Sequence, residues 1–390
     1  MPVTRYLERS VREDLASKMV FLAGPRQVGK TTLAQQLLAD WPNGLYLNWD
    51  NRDDRKDIRA ARWPGGQSLV VLDELHKWRS WKGWLKGEFD KHRRTTRFLV
   101  TGSARLDVYR RGGDSLMGRF HHYRLHPLTA AEATHIPLTA VPTPGTPISP
   151  ARGDPAAMGA LMQFGGFPEP FLARSARVHR RWQRERLDRV IREDVRDLEG
   201  VRDLSSLQVL ADLIPARVGS PLSVNALRED LEASHRAVDH WIAILERLYY
   251  VVRVRPYGTA KVRSLRKMPK AYLWDWSEVG DPGPRFENLV AMHLLKLCHF
   301  LQDCEGHDVD LFYLRDRTGR EVDFLLTARG RPWVAVEAKL SDATIDPSLT
   351  YFRSRLRIPF TYQVVLEGTR DFVEDGVRCL PAADFLAALI

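Results

Sequence analysis

Residues Gly24, Pro25, Arg26, Gln27, Val28, Gly29, Lys30 and Thr31, with Thr32 following, fit the pattern G-x-x-x-x-G-K-[ST] without a mismatch. Such a loop turns on its glycines so that backbone N–H groups face phosphate oxygens, and the helix after it adds the positive end of its dipole. Lys30 is expected to reach the β and γ phosphates of a nucleotide, and Thr31 to offer its hydroxyl to Mg²⁺. Downstream, Leu69 to Glu74 reads Leu-Val-Val-Leu-Asp-Glu. Asp73 would hold the same ion. Glu74, one residue on, would accept a proton from water attacking the γ-phosphate. The chemistry implied is ATP binding and hydrolysis with Mg²⁺. A third apolar run, Thr96 to Val100, ends at Thr101 with Ser103 two residues on. Either hydroxyl can sense the γ-phosphate or cap a following helix, and the two readings stand level.

A second constellation lies near the C-terminus. Glu321-Val-Asp323 and Val334-Ala-Val-Glu337-Ala-Lys339 read as strands one after the other. An Asp followed one strand later by Glu-x-Lys is a nuclease pattern. Asp323 and Glu337 could share a divalent ion, and Lys339 points to the same face because strand side chains alternate with period two. Glu287, in the helical run opened by Phe286, could complete the metal shell.

The elements that must position these groups fall into segments. Residues 1–135 alternate apolar strands with helices, which predicts an α/β P-loop nucleotide domain with a mainly parallel sheet. Residues 136–157 hold Pro137, Pro142, Pro144, Pro147, Pro150 and Pro155, a flexible or extended linker. Residues 158–204 form a helical connector, with a tight turn at Phe164 to Pro170 and an Arg-rich helix over Arg174 to Arg196 carrying Arg177, Arg180, Arg181, Arg184 and Arg186. Residues 205–276 read as three short helices, a strand over Tyr249 to Val254, a basic hairpin and a strand over Ala271 to Trp276, the order of a winged helix. In that geometry His235, Arg236 and Asp239 open the helix that meets a DNA groove, while Lys261, Arg263, Arg266, Lys267 and Lys270 form a wing over phosphates. Winged helices also dock proteins. Residues 280–390 form a separate C-terminal α/β unit.

The 390 residues suffice for several cores, with 44% hydrophobic content. Lys and Arg number 59 against 49 Asp and Glu, a formal net charge of +10, which favours an anionic partner, DNA first with RNA open. No run approaches the length of a membrane helix, and the charged start is unlike a signal peptide, so a cytoplasmic protein without a membrane partner is expected. Cys298, Cys304 and Cys379 lack metal-ligand spacing and are expected to be reduced. Trp78, Trp81 and Trp84 recur at helical spacing and predict one buried or interfacial face.

In motif order the chain resembles, over nearly its whole length, bacterial and archaeal AAA+-type ATPases whose C-terminal domain is related to the PD-(D/E)xK nucleases. The matching text is Gly24 to Thr32, Leu72-Asp-Glu-Leu-His-Lys77 with Trp81, Thr101-Gly-Ser103, Ser115-Leu-Met-Gly-Arg119 before Leu125-His-Pro-Leu, Gly165-Gly-Phe-Pro-Glu169 and the Glu-x-Lys strand. The resemblance implies an AAA+-like P-loop domain, a nuclease-like C-terminal fold, and Arg119 as an arginine finger acting between subunits. That last role implies a homo-oligomer such as a hexameric ring. The expected function is ATP turnover coupled to DNA binding or remodelling, at branched or stalled DNA, with the C-terminal site cutting or only holding the strand. A nucleotide-gated protein-interaction module is the alternative.

Overall fold

The computed structural model describes residues 3–102, 116–134, 141–190, 203–258, 268–341 and 344–390. The first unit is built on strands β1 (Met19–Ala23), β2 (Leu45–Asn48), β3 (Ser68–Asp73), β4 (Thr96–Thr101) and β5 (Phe120–Arg124). They form one parallel sheet in the order β2-β3-β4-β1-β5. Every residue of β1 and β3 is buried, as continuous apolar runs require when helices cover both faces. Period-two alternation sorts the side chains. Val20, Leu22, Val71 and Leu99 face helices α1 (Glu8–Leu15) and α2 (Lys30–Leu38). Phe21, Val70, Leu72 and Val100 face α3 (Arg52–Ala60) and α4 (Trp81–His92).

Insertion of β4 between β1 and β3 decides the site. Thr101 stands opposite Leu22 on one side and opposite Asp73 on the other. The end of the P-loop strand, a hydroxyl and the metal-type acid therefore lie side by side. After β5 comes a single helical turn, α5 (Ala130–Ala133).

Of the segment expected as a linker, residues 141–154 run without helix or strand against the C-terminal unit. Ile148 is fully buried, its N–H donates to Tyr362 Oη at 2.8 Å, and Trp333 Nε1 donates to the Thr146 carbonyl at 2.9 Å. Helices α6 (Pro155–Phe164), α7 (Pro168–Ala173) and α8 (Ala176–Arg189) follow, then α9 (Leu204–Leu213), α10 (Val224–Asp230) and α11 (His235–Arg247). Ser175, Ser223 and Ser234 supply side-chain N-caps to α8, α10 and α11, which is why those helices start where they do.

The hairpin strands β6 (Val251–Pro256) and β7 (Lys270–Leu273) stay against the helices before them, through Arg253 to Asp239 and Glu246 and through the Pro269 and Ala271 carbonyls, and also reach beyond them. They form one edge of an eight-stranded sheet with β8 (Val309–Arg315), β9 (Glu321–Ala328), β10 (Arg331–Ser341), β11 (Phe360–Glu367), β12 (Phe372–Glu374) and β13 (Val377–Pro381), ordered β12-β13-β11-β10-β9-β8-β6-β7. The boundary expected between residues 276 and 280 thus does not separate two sheets. Without β6, the β8 backbone would present unpaired N–H and C=O groups.

Helix α12 (Pro282–Asp303), largely buried, joins the two units. Asn288 clamps the Leu273 backbone on β7 in both directions at 2.8 Å. At the other end Arg124 of β5 makes a bidentate pair with Asp303 at 2.8 Å. Between them, Lys296 is fully buried and donates to Glu132 and, at 2.9 Å, to Thr129. Glu132 also accepts from Arg5 Nε at 2.8 Å, and Arg5 donates to the Val28 carbonyl of the P-loop at 2.7 Å. A buried chain of two ion pairs and a hydrogen bond therefore runs from the P-loop to α12. Burial alone would raise the Glu132 carboxyl, but the Arg5 and Lys296 charges hold it down at about 2. Two further helices among the described residues are α13 (Pro347–Leu356) and α14 (Ala382–Ala387).

Candidate functional site

The P-loop runs from the end of β1 into α2. Gly24 has φ 146°, and a Cβ there would lie 2.5 Å from the Leu125 carbonyl oxygen; Gly29 has φ 99° where the helix begins. Only glycine fits both demands. Between them Gln27 adopts φ 62°, in the left-handed region. Lys30 is buried and donates to the Gly24 carbonyl at 2.9 Å and to the Pro25 carbonyl at 2.7 Å.

Asp73 is the hub. It accepts from Thr31 Oγ1 at 3.2 Å, from Tyr46 Oη at 2.5 Å and from Thr101 Oγ1. The Thr31 to Asp73 spacing matches adjacent corners of an octahedron with bonds of about 2.1 Å, whose oxygens lie about 3.0 Å apart. The pair therefore fits Mg²⁺. Thr101 is fully buried and its hydroxyl is tied to Asp73. Ser103 lies outside the described residues.

Glu74 follows with left-handed backbone, φ 56°, before a single 3-10 turn over Leu75–Lys77. Its Oε2 is 3.4 Å from Lys77 Nζ and 3.6 Å from His76 Nε2, while Lys77 also donates to Asp50 at 2.6 Å. Burial raises the Glu74 carboxyl above its ordinary value, against the opposing charges of Lys77 and Lys30. A raised carboxylate suits proton acceptance. These groups line a cavity of about 580 Å³ with Arg26 and Thr32. Its opposite wall is Pro168, Glu169 and Leu172 of α7, so the Gly-Gly-Phe-Pro-Glu stretch is part of the site and more than a turn between helices. Sequence reading missed Tyr46, Asp50, Lys77 and this role of Glu169. Lys77 carried a signal, standing three residues after Glu74 where a helical turn brings the two together.

Arg119 immediately precedes β5 and pairs with Asp90 at 2.8 Å. In parallel register its neighbour Phe120 stands opposite Met19, at the end of β1 away from the P-loop. Arg119 does not serve the cavity of its own chain.

Of the basic residues expected to meet nucleic acid, His235 and Arg236 are exposed at the start of α11. Lys261, Arg263, Arg266 and Lys267 lie outside the described residues. Asp239 is spent on Arg253 at 3.0 Å. In α8, Arg177, Arg180, Arg181 and Arg184 are exposed, but Arg186 is buried against Glu278 at 2.7 Å and over the Phe167 ring. Trp81 is buried, while Trp78 and Trp84, half-buried, form with Trp49 and Trp63 an aromatic cluster in which Trp49 and Trp78 stack at 4.9 Å.

The C-terminal acids do converge. Asp323 and Glu337 sit on neighbouring strands, with the Asp323 N–H donating to Glu337 Oε2 at 3.1 Å. Lys339 Nζ bonds Glu337 at 2.7 Å and Asp346 at 2.9 Å. Lys270, expected in the basic wing, is instead buried: its Nζ lies 2.6 Å from Glu321, 2.9 Å from Glu287 and 3.4 Å from Asp323. Tyr272 donates to the same Glu287 oxygen at 2.6 Å. Burial and the neighbouring Asp323 push Glu287 up to about 7 and Glu337 up to about 8. Among the described residues no group of three or more His, Cys, Asp or Glu is arranged to hold a metal ion. Glu287, Asp323 and Glu337, expected to form a metal shell, are thus brought near one another with an ammonium standing among them.

Residues 16–134 match the model of an AAA domain, residues 157–278 that of a domain of unknown function, DUF8612, and residues 282–385 that of a domain of unknown function, DUF4143. The first unit is thus an AAA-type P-loop domain. The chain is 23% identical over 392 residues to uncharacterized protein Rv2008c of Mycobacterium tuberculosis, covering 94% of this chain and 81% of that protein, and equally to Mb2031c of Mycobacterium bovis. It is 20% identical to uncharacterized protein MJ1544 of Methanocaldococcus jannaschii, covering 88% of this chain and 80% of that one. Among solved structures it overlaps Thermotoga maritima RuvB at TM-score 0.31 and 16% identity, covering 64% of this chain and 87% of that one. No helix among the described residues is long and apolar enough to cross a membrane.

Proposed function

We propose that the chain is an ATP-hydrolysing, nucleic-acid-binding machine that works as a homo-oligomer. The observation that carries the reading is the convergence of the P-loop, the Thr31 and Asp73 pair and the buried Glu74 on one cavity. A nucleotide with its Mg²⁺ supplies there the phosphoanhydride to be broken and the charge that polarises it. Around it Lys30 and Arg26 balance phosphate charge, Thr101 reports through Asp73, and Glu74 takes a proton from water. Lys77 holds Glu74 back through its pair with Asp50, so turnover calls for that pair to loosen.

Support for nucleic acid comes from the net charge of +10 and the exposed arginines of α8. His235 and Arg236 open α11, the third helix of a winged-helix arrangement α9–α11 with β6 and β7 as its wing. Arg119 acts as a finger toward the next subunit; Met117 beside it is 72% exposed, an apolar contact for that neighbour. In the C-terminal unit, strands β8 to β10 behind α12 follow the PD-(D/E)xK order, and this unit holds the strand rather than cuts it.

The test is phosphate release with and without single-stranded DNA, duplex DNA, forked DNA and RNA, alongside binding across a salt series. Hydrolysis with affinity that falls steeply as salt rises is expected. Absence of hydrolysis removes the ATPase reading. Hydrolysis without salt-dependent binding to any of the four leaves the nucleotide-gated protein module.

A further inference from the structure

The C-terminal cluster gathers Glu287 from α12, Glu321 and Asp323 from β9 and Glu337 from β10, four carboxylates from three elements. Its centre is filled from an unexpected direction. Lys270 begins β7 on the far side of β6 and β8, is 1% exposed, and brings its ammonium within 3.4 Å of three of the four acids. Glu337, the fourth, is held by Lys339 and by the Asp323 N–H. Tyr272, two residues after Lys270 on the same face of β7, locks Glu287 with its hydroxyl. A buried lysine needs this many partners, since an ammonium out of water without them costs several kcal/mol.

We propose that Lys270 is the resident cation of this cluster, occupying the place of a divalent metal, and that the C-terminal unit carries no metal-dependent phosphodiesterase activity. The ammonium offers charge but no open coordination position, so it can neither bind a scissile phosphate as a Lewis acid nor generate a bound hydroxide. What it does supply is attachment. One side chain ties β7, the strand that leaves the basic segment 261–267, to α12 and β9 of the C-terminal sheet. The inference stands apart from the ATPase reading, because none of these residues lines the nucleotide cavity.

The cluster carries its own reporter. Tyr272 bonds one of its acids and the Tyr313 ring lies 5.6 Å from the Lys270 ammonium, so both can sensitise Tb³⁺ luminescence if the ion enters. Nucleotide-free full-length protein is titrated with Tb³⁺ and with Mn²⁺ as wild type, Asp323→Asn, Lys270→Met and the double variant. The wild type and Asp323→Asn should be indistinguishable. Lys270→Met should gain one bound ion per chain and a higher Tm in Ca²⁺, and the double variant should lose both. A wild-type site that Asp323→Asn abolishes would overturn the proposal, as would a folded Lys270→Met that gains nothing. If Lys270→Met does not fold, the wild type against Asp323→Asn decides alone. Mn²⁺-dependent cutting of single-stranded, duplex or forked DNA by the wild type, lost in Asp323→Asn, overturns it equally.

Discussion

Two acid-rich sites sit on strand ends in this molecule, and they use the same residue types to opposite ends. Around Asp73 the partners are hydroxyls, and the nearby cation, Lys30, bonds the loop's own carbonyls. A hydroxyl surrenders its acceptor at small cost, so Asp73 can exchange these partners beside an open cavity. Around Asp323 the partner is a buried ammonium already in contact with three carboxylates. The first site is wired to receive charge from outside; the second has balanced its charge from within.

The largest expected effect tests the open site against the closed one. Glu74→Gln should lower phosphate release by about 10²–10⁴-fold while nucleotide binding persists, and Asp323→Asn should leave turnover unchanged. Normal turnover in the first, or loss in the second, breaks the contrast. Next comes the stability of the two lysines, read from urea unfolding. Lys270→Met leaves buried carboxylates without their cation and should cost about 3–5 kcal/mol, whereas Lys30→Met gives up its bonds to loop carbonyls beside an open cavity and should cost about 1–2 kcal/mol. Equal costs would mean that Lys30 is as structural as Lys270.

The ion pairs joining the two units give a smaller, pH-dependent effect. Glu132 is held at about 2 against an ordinary 4.5, so its contribution is complete above 4.5 and is lost as pH falls from there through 2. Urea melts in that window should show on the order of 3 kcal/mol of loss that Glu132→Gln lacks. The smallest effect belongs to the exposed surface. Arg236→Ala should reduce the salt slope of DNA binding by about 1 without altering basal turnover. An unchanged slope removes α11 from the interface.

The P-loop was legible because its chemistry is local. Gly24, Gly29, Lys30 and Thr31 stand within one turn and act through one backbone, and Asp73 with Glu74 ends an apolar strand whose burial is written in its composition. Tyr46 and the wall carrying Glu169 were not legible, since nothing in their neighbourhood announces which strand or helix they will face. The same holds for Arg5, whose bond to the Val28 carbonyl spans 23 residues.

The C-terminal site shows the limit most clearly. Alternation along β9 and β10 dictated that Asp323, Glu337 and Lys339 share a face, because strand geometry fixes side-chain direction residue by residue. It could not dictate what would fill the space among them. Lys270 lies 17 residues before Glu287 and 53 before Asp323, in a stretch whose basic composition pointed to solvent and phosphates. Only sheet order, with β6 and β7 added beyond β8, turned that lysine inward. Sequence set the residue types and the face each would occupy; tertiary packing chose the counter-charge, because electrostatic pairing depends on distance in space and not along the chain.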